Sequence, residues 1–465
     1  MRLPFAVQSY THRALPISAQ RLINLFPEVQ PENAKSRLPL LPTPGLRLLA
    51  DLGVNAVRGV HVMGGDLYAV AGSGVYRVTQ AGVATLLGNI GNGGPVSLDS
   101  NGSKLCIVAP ENYLAWVVDR ATGTITQITD PDFGGATAVT VIDGYYVFTK
   151  PNTTEFFLSG INDPLSFNAL DFASAEGAPD NLVAPVRVGR DLWLFGDETI
   201  EVWSNVGATD FPFLRVSGGF VARGTAARFS IATRIGTAVW LGDDRVVYAA
   251  AGIQPQRIST HAIEQAVGAY TRVNDAIGYV YEQEGHAFYV LSFPDAGDTW
   301  VYDFATQLWH ERESEGVNVW RAALGCAFAG GVVAGDAVNG RLWVVDPTYM
   351  LEGDDQIIRV ATGTAFHAEG RKVEFTRLAA DFETGVGITT GQGSDPKAWL
   401  SWSNDGGRTF GNAAEARLGA IGQYLARMEW RRLGQSRDRV FRMQWADPVF
   451  TSLIAMNIDA EAGND

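Results

Sequence analysis

The chain has 465 residues, 46% hydrophobic and 18% charged, with a formal net charge of −14 and a pI near 4.9. That balance excludes a disordered chain, and an acidic surface gains nothing from the counterion release that drives ordinary DNA binding. Fifty-two glycines and 11% aromatic residues suit many short strands joined by tight turns, so the expected class is all-β.

The first residues, MRLPFAVQSYTHRALP, carry Arg2, His12 and Arg13 and lack the apolar run of a secretory signal. Pro39, Pro42 and Pro44 then force an extended path that suits neither a helix nor a central strand. Residues 1–52 are therefore expected to form an N-terminal arm.

From residue 53 to 350 one pattern repeats. A turn glycine followed by a β-type apolar run occurs at Gly65, Gly102, Gly144, Gly189, Gly236, Gly285 and Gly331, at intervals of roughly 37 to 49 residues. Each run is followed by a polar turn and a second strand, as in GVYRV at 74–78, TIEVW at 199–203 and RLWVV at 341–345. Asp, Asn and Gly in these turns accept the required backbone angles. The period predicts a β-propeller of six or seven blades, an arrangement that leaves few open sheet edges. The apolar run Ala322–Gly335 falls short of the roughly 20 residues of a membrane helix, so no span is expected.

Beyond residue 350 the alternating segments lengthen, as in RKVEFTRLAADFETG, KAWLSWS and DRVFRMQWADP, and residues 351–465 are expected to form a β-sandwich-like domain. Within it, SWSNDGGRTFG matches the Asp-box pattern of sialidase-type propellers through Ser403, Asp405, Gly407, Thr409 and Phe410. The Asp carboxylate can accept backbone N–H bonds across the turn, with Phe410 packed beneath, so the box is expected to be structural. It occurs once and outside the propeller repeat. No set of arginines, tyrosine and carboxylates is spaced as glycosidase chemistry requires.

Other chemistry is not signalled. Cys106 and Cys326 stand far apart, the six histidines are scattered, and no phosphate loop, HExxH or GxSxG occurs. Asp243-Asp244 and Asp354-Asp355 read as turn residues. No catalytic, metal or cofactor site is expected. One charged feature is unusual in an acidic chain: Arg427, Arg431, Arg432, Arg437, Arg439 and Arg442. Alternation of Met428 and Trp430, and of Phe441, Met443 and Trp445, predicts two strands with one apolar face each. Joined by LGQSRD as a hairpin, they would project most of these arginines together as a surface for carboxylates.

Six stretches carry a resemblance in collinear order: RLINLFPE (21–28), DETIEVWSNVGATDFPF (197–213), ISTHAIEQAV (258–267), GHAFYVLSFP (285–294), TWVYDFATQLWHER (299–312) and RRLGQSRDRVFRMQWADP (431–448). Together they resemble the packaged-DNA stabilisation proteins of short-tailed bacteriophages, their tail hub or nozzle components. The resemblance implies a non-enzymatic virion protein of the tail, assembled in the host cytoplasm. It implies a ring, expected to be a hexamer, below the portal and its adaptor ring. Such a ring would prolong and seal the DNA channel, let DNA pass without sequence-specific binding, and carry tail fibres or spikes. The seams should gather arginine and aromatic side chains, with the arginine cluster, Trp309 and Trp320 as candidates. The alternative is a virion propeller that binds or cleaves host-surface glycan.

Overall fold

A computed structural model of the chain describes residues 1–3 and 5–463. Seven antiparallel blades follow in chain order, at 57–89, 97–127, 139–174, 182–221, 232–257, 277–311 and 322–346. The innermost strands of neighbouring blades touch around most of the ring, the fourth and fifth blades pack through Val188, Trp193, Ala238 and Trp240, and Ala322–Phe328 of the seventh returns to Val57–Met63 of the first. The blade count is therefore seven.

The turn glycines enter each blade between its first and second strands. Positive φ occurs at both central residues in Gly64-Gly65, Asp143-Gly144, Ile235-Gly236, Glu284-Gly285 and Ala329-Gly330, the geometry that matches strand twist. In the seventh blade the turn glycine is Gly330 (φ 78°), one residue before the expected Gly331. Gly331 instead begins strand Gly331–Asp336.

The seventh blade is completed from far away in sequence. Its outermost strand is Gly45–Asn55, antiparallel to Asn339–Asp346 with Leu46 opposite Val345 and Ala50 opposite Leu342. The described part of residues 1–52 is a series of strands joined by turns, built into neighbouring sheets rather than trailing away. Ala19–Ile23 pairs in parallel with Leu308–Glu311 of the sixth blade and antiparallel with Arg359–Thr362. Through it one sheet of eleven strands runs from the sixth blade into the C-terminal region.

That region is a sandwich. One layer continues the long sheet through Arg359–Thr362, Asp438–Trp445, Lys397–Ser403 and Ala414–Arg417. The facing layer orders Leu25–Pro27, Leu40–Pro42, Leu453–Ala462, Val373–Phe382 and Met428–Ser436. Leu22, Leu25 and Leu40 of the N-terminal segment share its core with Phe375, Leu378, Trp430, Phe441, Met443, Trp445 and Ile458. The layers thus bury alternate residues of each strand against one another.

The propeller's axis is a narrow space. The space along it measures about 270 Å³ and is lined by Gly59, Val60, Leu98, Val139, Pro185 and Gly278, among others. A space of that size makes the bore of a single subunit no passage for duplex DNA. Among the described residues, no helix is long and apolar enough to cross a membrane.

Candidate docking surface

The arginine-rich segment does not form a hairpin. Met428–Ser436 pairs with Val373–Phe382, whereas Asp438–Trp445 pairs with Lys397–Ser403 and Arg359–Thr362 in the other layer. The alternation read in the sequence is correct, but both apolar faces point into a shared core from opposite sides. Arginines on the two strands therefore leave on opposite faces, apart from those drawn inward.

On the first strand a bulge sets the display. The register against Val373–Phe382 shifts between Phe375 and Arg377, and Arg432 has a φ of 59°. The extra residue lets Arg431 and Arg432 both face solvent before Leu433 turns into the core. Arg431 pairs with Glu429 at 3.0 Å, and Glu429 also pairs with Arg377 at 2.9 Å. Arg427 and Arg437 are exposed at the two ends of this strand. Ten residues of extended chain put them roughly 30 Å apart, so the exposed cations form a line rather than a patch.

Arg439 and Arg442 do other work. Arg439 is 1% exposed and donates to the carbonyls of Leu433 (2.6 Å) and Gln435 (3.3 Å) and to Asn404 Oδ1 (2.9 Å). Its guanidinium lies 4.4 Å from the centre of the Phe375 ring. Burial pushes its pKa down to about 10, which still leaves it charged at neutral pH. Arg442 donates to Ser401 Oγ at 3.1 Å and covers the Phe410 ring at 4.1 Å.

The two tryptophans expected at a seam lie inside the subunit. Trp309 is 0% exposed and donates its indole N–H to the Ile258 carbonyl at 2.8 Å. Trp320 is 1% exposed, donates to Glu352 Oε1 at 2.8 Å, and has the buried Arg312 guanidinium 4.4 Å from its ring. Both were expected to serve as docking anchors, and neither is available to a neighbour of the folded chain. Apolar strand positions beside turns satisfied the same sequence pattern.

The Asp box is saturated by its own turn. Asp405 accepts from Ser403 Oγ (2.5 Å), Thr409 Oγ1 (2.6 Å) and the backbone N–H groups of Arg408 (2.9 Å) and Thr409 (3.0 Å). Those bonds hold its carboxyl well below the usual range, the Ser403 hydroxyl foremost. Gly407 donates to Ser403 Oγ at 2.9 Å. Phe410 packs under Arg442.

The acidic doublets are likewise engaged. Asp243 accepts from Gly224 N–H, Asp244 from the Tyr248 hydroxyl, and Asp355 pairs with Arg321 at 3.1 Å. Among the described residues, no three His, Cys, Asp or Glu side chains are grouped to hold a metal ion. Sequence reading missed the seam between propeller and sandwich, where Arg21 pairs with Glu311 of the sixth blade and with Glu313 just after it. Partners some 290 positions apart leave no local signal.

Comparison with known families settles the lineage. Residues 1–350 match the model described as bacteriophage P22 Gp10, beta-propeller, and residues 359–461 match bacteriophage P22 Gp10, beta-sandwich. The chain belongs to the phage P22 Gp10 family. This is a family of phage structural proteins, and the propeller followed by a sandwich is its architecture. No curated protein sequence matches the chain. Similar solved structures include a streptogramin B lyase (10% identity over 65% of this chain and 97% of that one, TM-score 0.45). Others are U3-55K (11%, 65% and 99%, 0.40) and the Myceliophteria thermophila Cps50 propeller domain (11%, 64% and 98%, 0.43).

Proposed function

We propose that this chain is a tail hub, or nozzle, subunit of a short-tailed phage. In this reading copies form a ring, a hexamer, that docks below the portal and adaptor, prolongs and seals the DNA channel, and carries fibres or spikes. The observation that carries it is the P22 Gp10 family match across both halves of the chain.

Two physical features support the reading. A single propeller's axis is too narrow for a duplex, so DNA would pass through the lumen of the ring rather than through any one subunit. A formal charge of −14 then keeps a sliding polyanion from adhering, because few cations are free to replace its counterions. Exposed Arg427, Arg431, Arg432 and Arg437 are the side chains proposed to dock against carboxylates of a neighbour. Copies would meet head to tail, since only a heterologous interface that closes makes a ring.

The test is charge reversal at Arg431 and Arg432 together. The expected result is a folded monomer that fails to join tail-less, DNA-filled particles, which then leak their DNA. Particles that retain both tail and DNA would remove these residues from the interface. Nanomolar, sequence-independent duplex binding at physiological salt would overturn the passive conduit. The protein is proposed to be non-enzymatic, which predicts silence in a fluorogenic glycoside assay and on a glycan array.

A further inference from the structure

One mouth of the propeller axis opens into a cavity of about 540 Å³, within the roughly 300–1,000 Å³ of ordinary ligand pockets. Its walls are largely apolar, with Phe229, Ile277, Pro294 and Leu324 prominent, and three guanidinium groups stand among them, Arg58, Arg228 and Arg272, with the Glu111 carboxylate beside Arg58. With Glu111 beside Arg58 and Asp295 paired to Arg272, Arg228 is the cation of this surface that is left for a ligand.

The three are not equivalent. Arg58 is built in, donating to the carbonyls of Gly72, Gly91 and Gly94 at 2.7 Å each. Arg272 sits at the rim and pairs with Asp295 at 3.1 Å. Arg228 opens a 3-10 turn, Arg228–Ser230, between the fourth and fifth blades, and uses Nε to bond the Val183 carbonyl at 2.9 Å. Among the described residues no carboxylate lies within 4 Å of it, so its outer nitrogens carry no ion pair. It lines both the mouth and the narrower axial space, which places its charge at the throat. Partial desolvation there depresses its pKa, with Tyr113 and Asp197 offsetting part of the effect.

Asp275 is the complementary signal. It lines the same cavity, one carboxylate oxygen accepts from Asp295 N–H at 2.8 Å, and the other is buried with no partner. A site with an unpaired guanidinium, an unsatisfied acceptor and apolar walls asks for a ligand with a carboxylate, an N–H donor and carbon surface. An extended acidic peptide has all three. Inorganic phosphate supplies only the negative charge.

We propose that this mouth of the propeller axis is a docking site for an extended acidic peptide segment, whose carboxylate pairs with Arg228 and whose backbone N–H reaches Asp275. The inference stands on the cavity alone and does not depend on the nozzle reading. A fluorescein-labelled hexapeptide of alternating glutamate and alanine, titrated with the full chain and followed by anisotropy, tests it. The peptide should bind at least tenfold more tightly than its lysine counterpart. Arg228→Met should weaken binding at least tenfold in a chain that still folds. Ala337→Trp, which fills the rim without altering charge, should do the same and stands in if Arg228→Met fails to fold. Charge reversal at Arg431 should have no effect, which separates this site from the proposed docking surface. Equal binding of the two peptides, undiminished binding by both folded variants, or displacement by equimolar inorganic phosphate would each overturn the assignment.

Discussion

Replacing Arg439 with alanine separates a structural arginine from the exposed ones beside it. The guanidinium serves the Leu433 and Gln435 carbonyls and Asn404, and faces Phe375 at 4.4 Å. Among the described residues it has no carboxylate partner, so the loss is one of hydrogen bonds and packing rather than of an ion pair. Each buried acceptor stripped of its donor costs about 1–3 kcal/mol. The ring contact adds about 1–2 kcal/mol. Because the Gln435 bond is long and partly exposed, the expected destabilisation is about 3–5 kcal/mol, near the whole effect of a large core truncation. Urea unfolding followed by the fluorescence of Trp399, Trp402, Trp430 and Trp445, all in the sandwich, reads it directly. Arg431→Ala, whose side chain is 71% exposed, should leave the midpoint unchanged. An Arg439→Ala midpoint equivalent to a loss under about 1 kcal/mol, or an equal loss in Arg431→Ala, would refute the reasoning.

Gly45→Ala should destabilise the clasp of the seventh blade, because the added carbon would stand 2.0 Å from the Tyr349 carbonyl oxygen and 2.4 Å from that of Leu351. Both are backbone atoms, so a loss of about 3 kcal/mol is expected, at the upper end for overpacking, and calorimetry measures it. Burial pushes the Glu352 carboxyl up to about 7 from an ordinary 4.5, against the opposing influence of Arg321. The folded state therefore holds its proton longer than the unfolded one, and stability should fall by about 3 kcal/mol as pH rises from about 4.5 to 7. Urea midpoints across that window should flatten in Glu352→Gln. Asp405 shows the opposite sign: its depressed pKa means that the turn's stability is complete above the ordinary carboxylate range and is lost only as pH falls through the folded value. Hydrogen exchange at the Arg408 and Thr409 amides should stay slow at pH 4 in the parent and quicken in Asp405→Ala.

The central hairpins of all seven blades were legible because each couples a glycine or Asx turn to an apolar run such as DLWLFG or HAFYVLSF. The fourth strands were not. Ala84–Asn89 and Ile125–Gln127 lie at the wheel's rim, face water and carry no apolar stripe. Periodicity also told which residues of Met428–Ser436 and Asp438–Trp445 face inward, but it is the same for neighbours in one sheet and for strands in facing layers. Only the long-range pairing decides, and it sent Arg439 inward while Arg432 stayed outside. Trp309 and Trp320 failed as surface anchors for a related reason: an indole with one buried N–H acceptor is as content inside a subunit as between two. The mouth of the axis left no trace at all, since Arg58, Arg228 and Arg272 come from a strand, a 3-10 turn and a loop far apart in the chain.

The clasp formed by Gly45–Asn55 also orders events during synthesis. This strand leaves the ribosome ahead of every blade, yet its seat on Asn339–Asp346 does not exist until nearly 300 further residues have been made. Ala19–Ile23 waits longer still, for Asp438–Trp445 to complete the sheet that Arg359–Thr362 bridges. The earliest segment to emerge is thus among the last to settle, an arrangement that slows folding and withholds a finished subunit until translation is almost over.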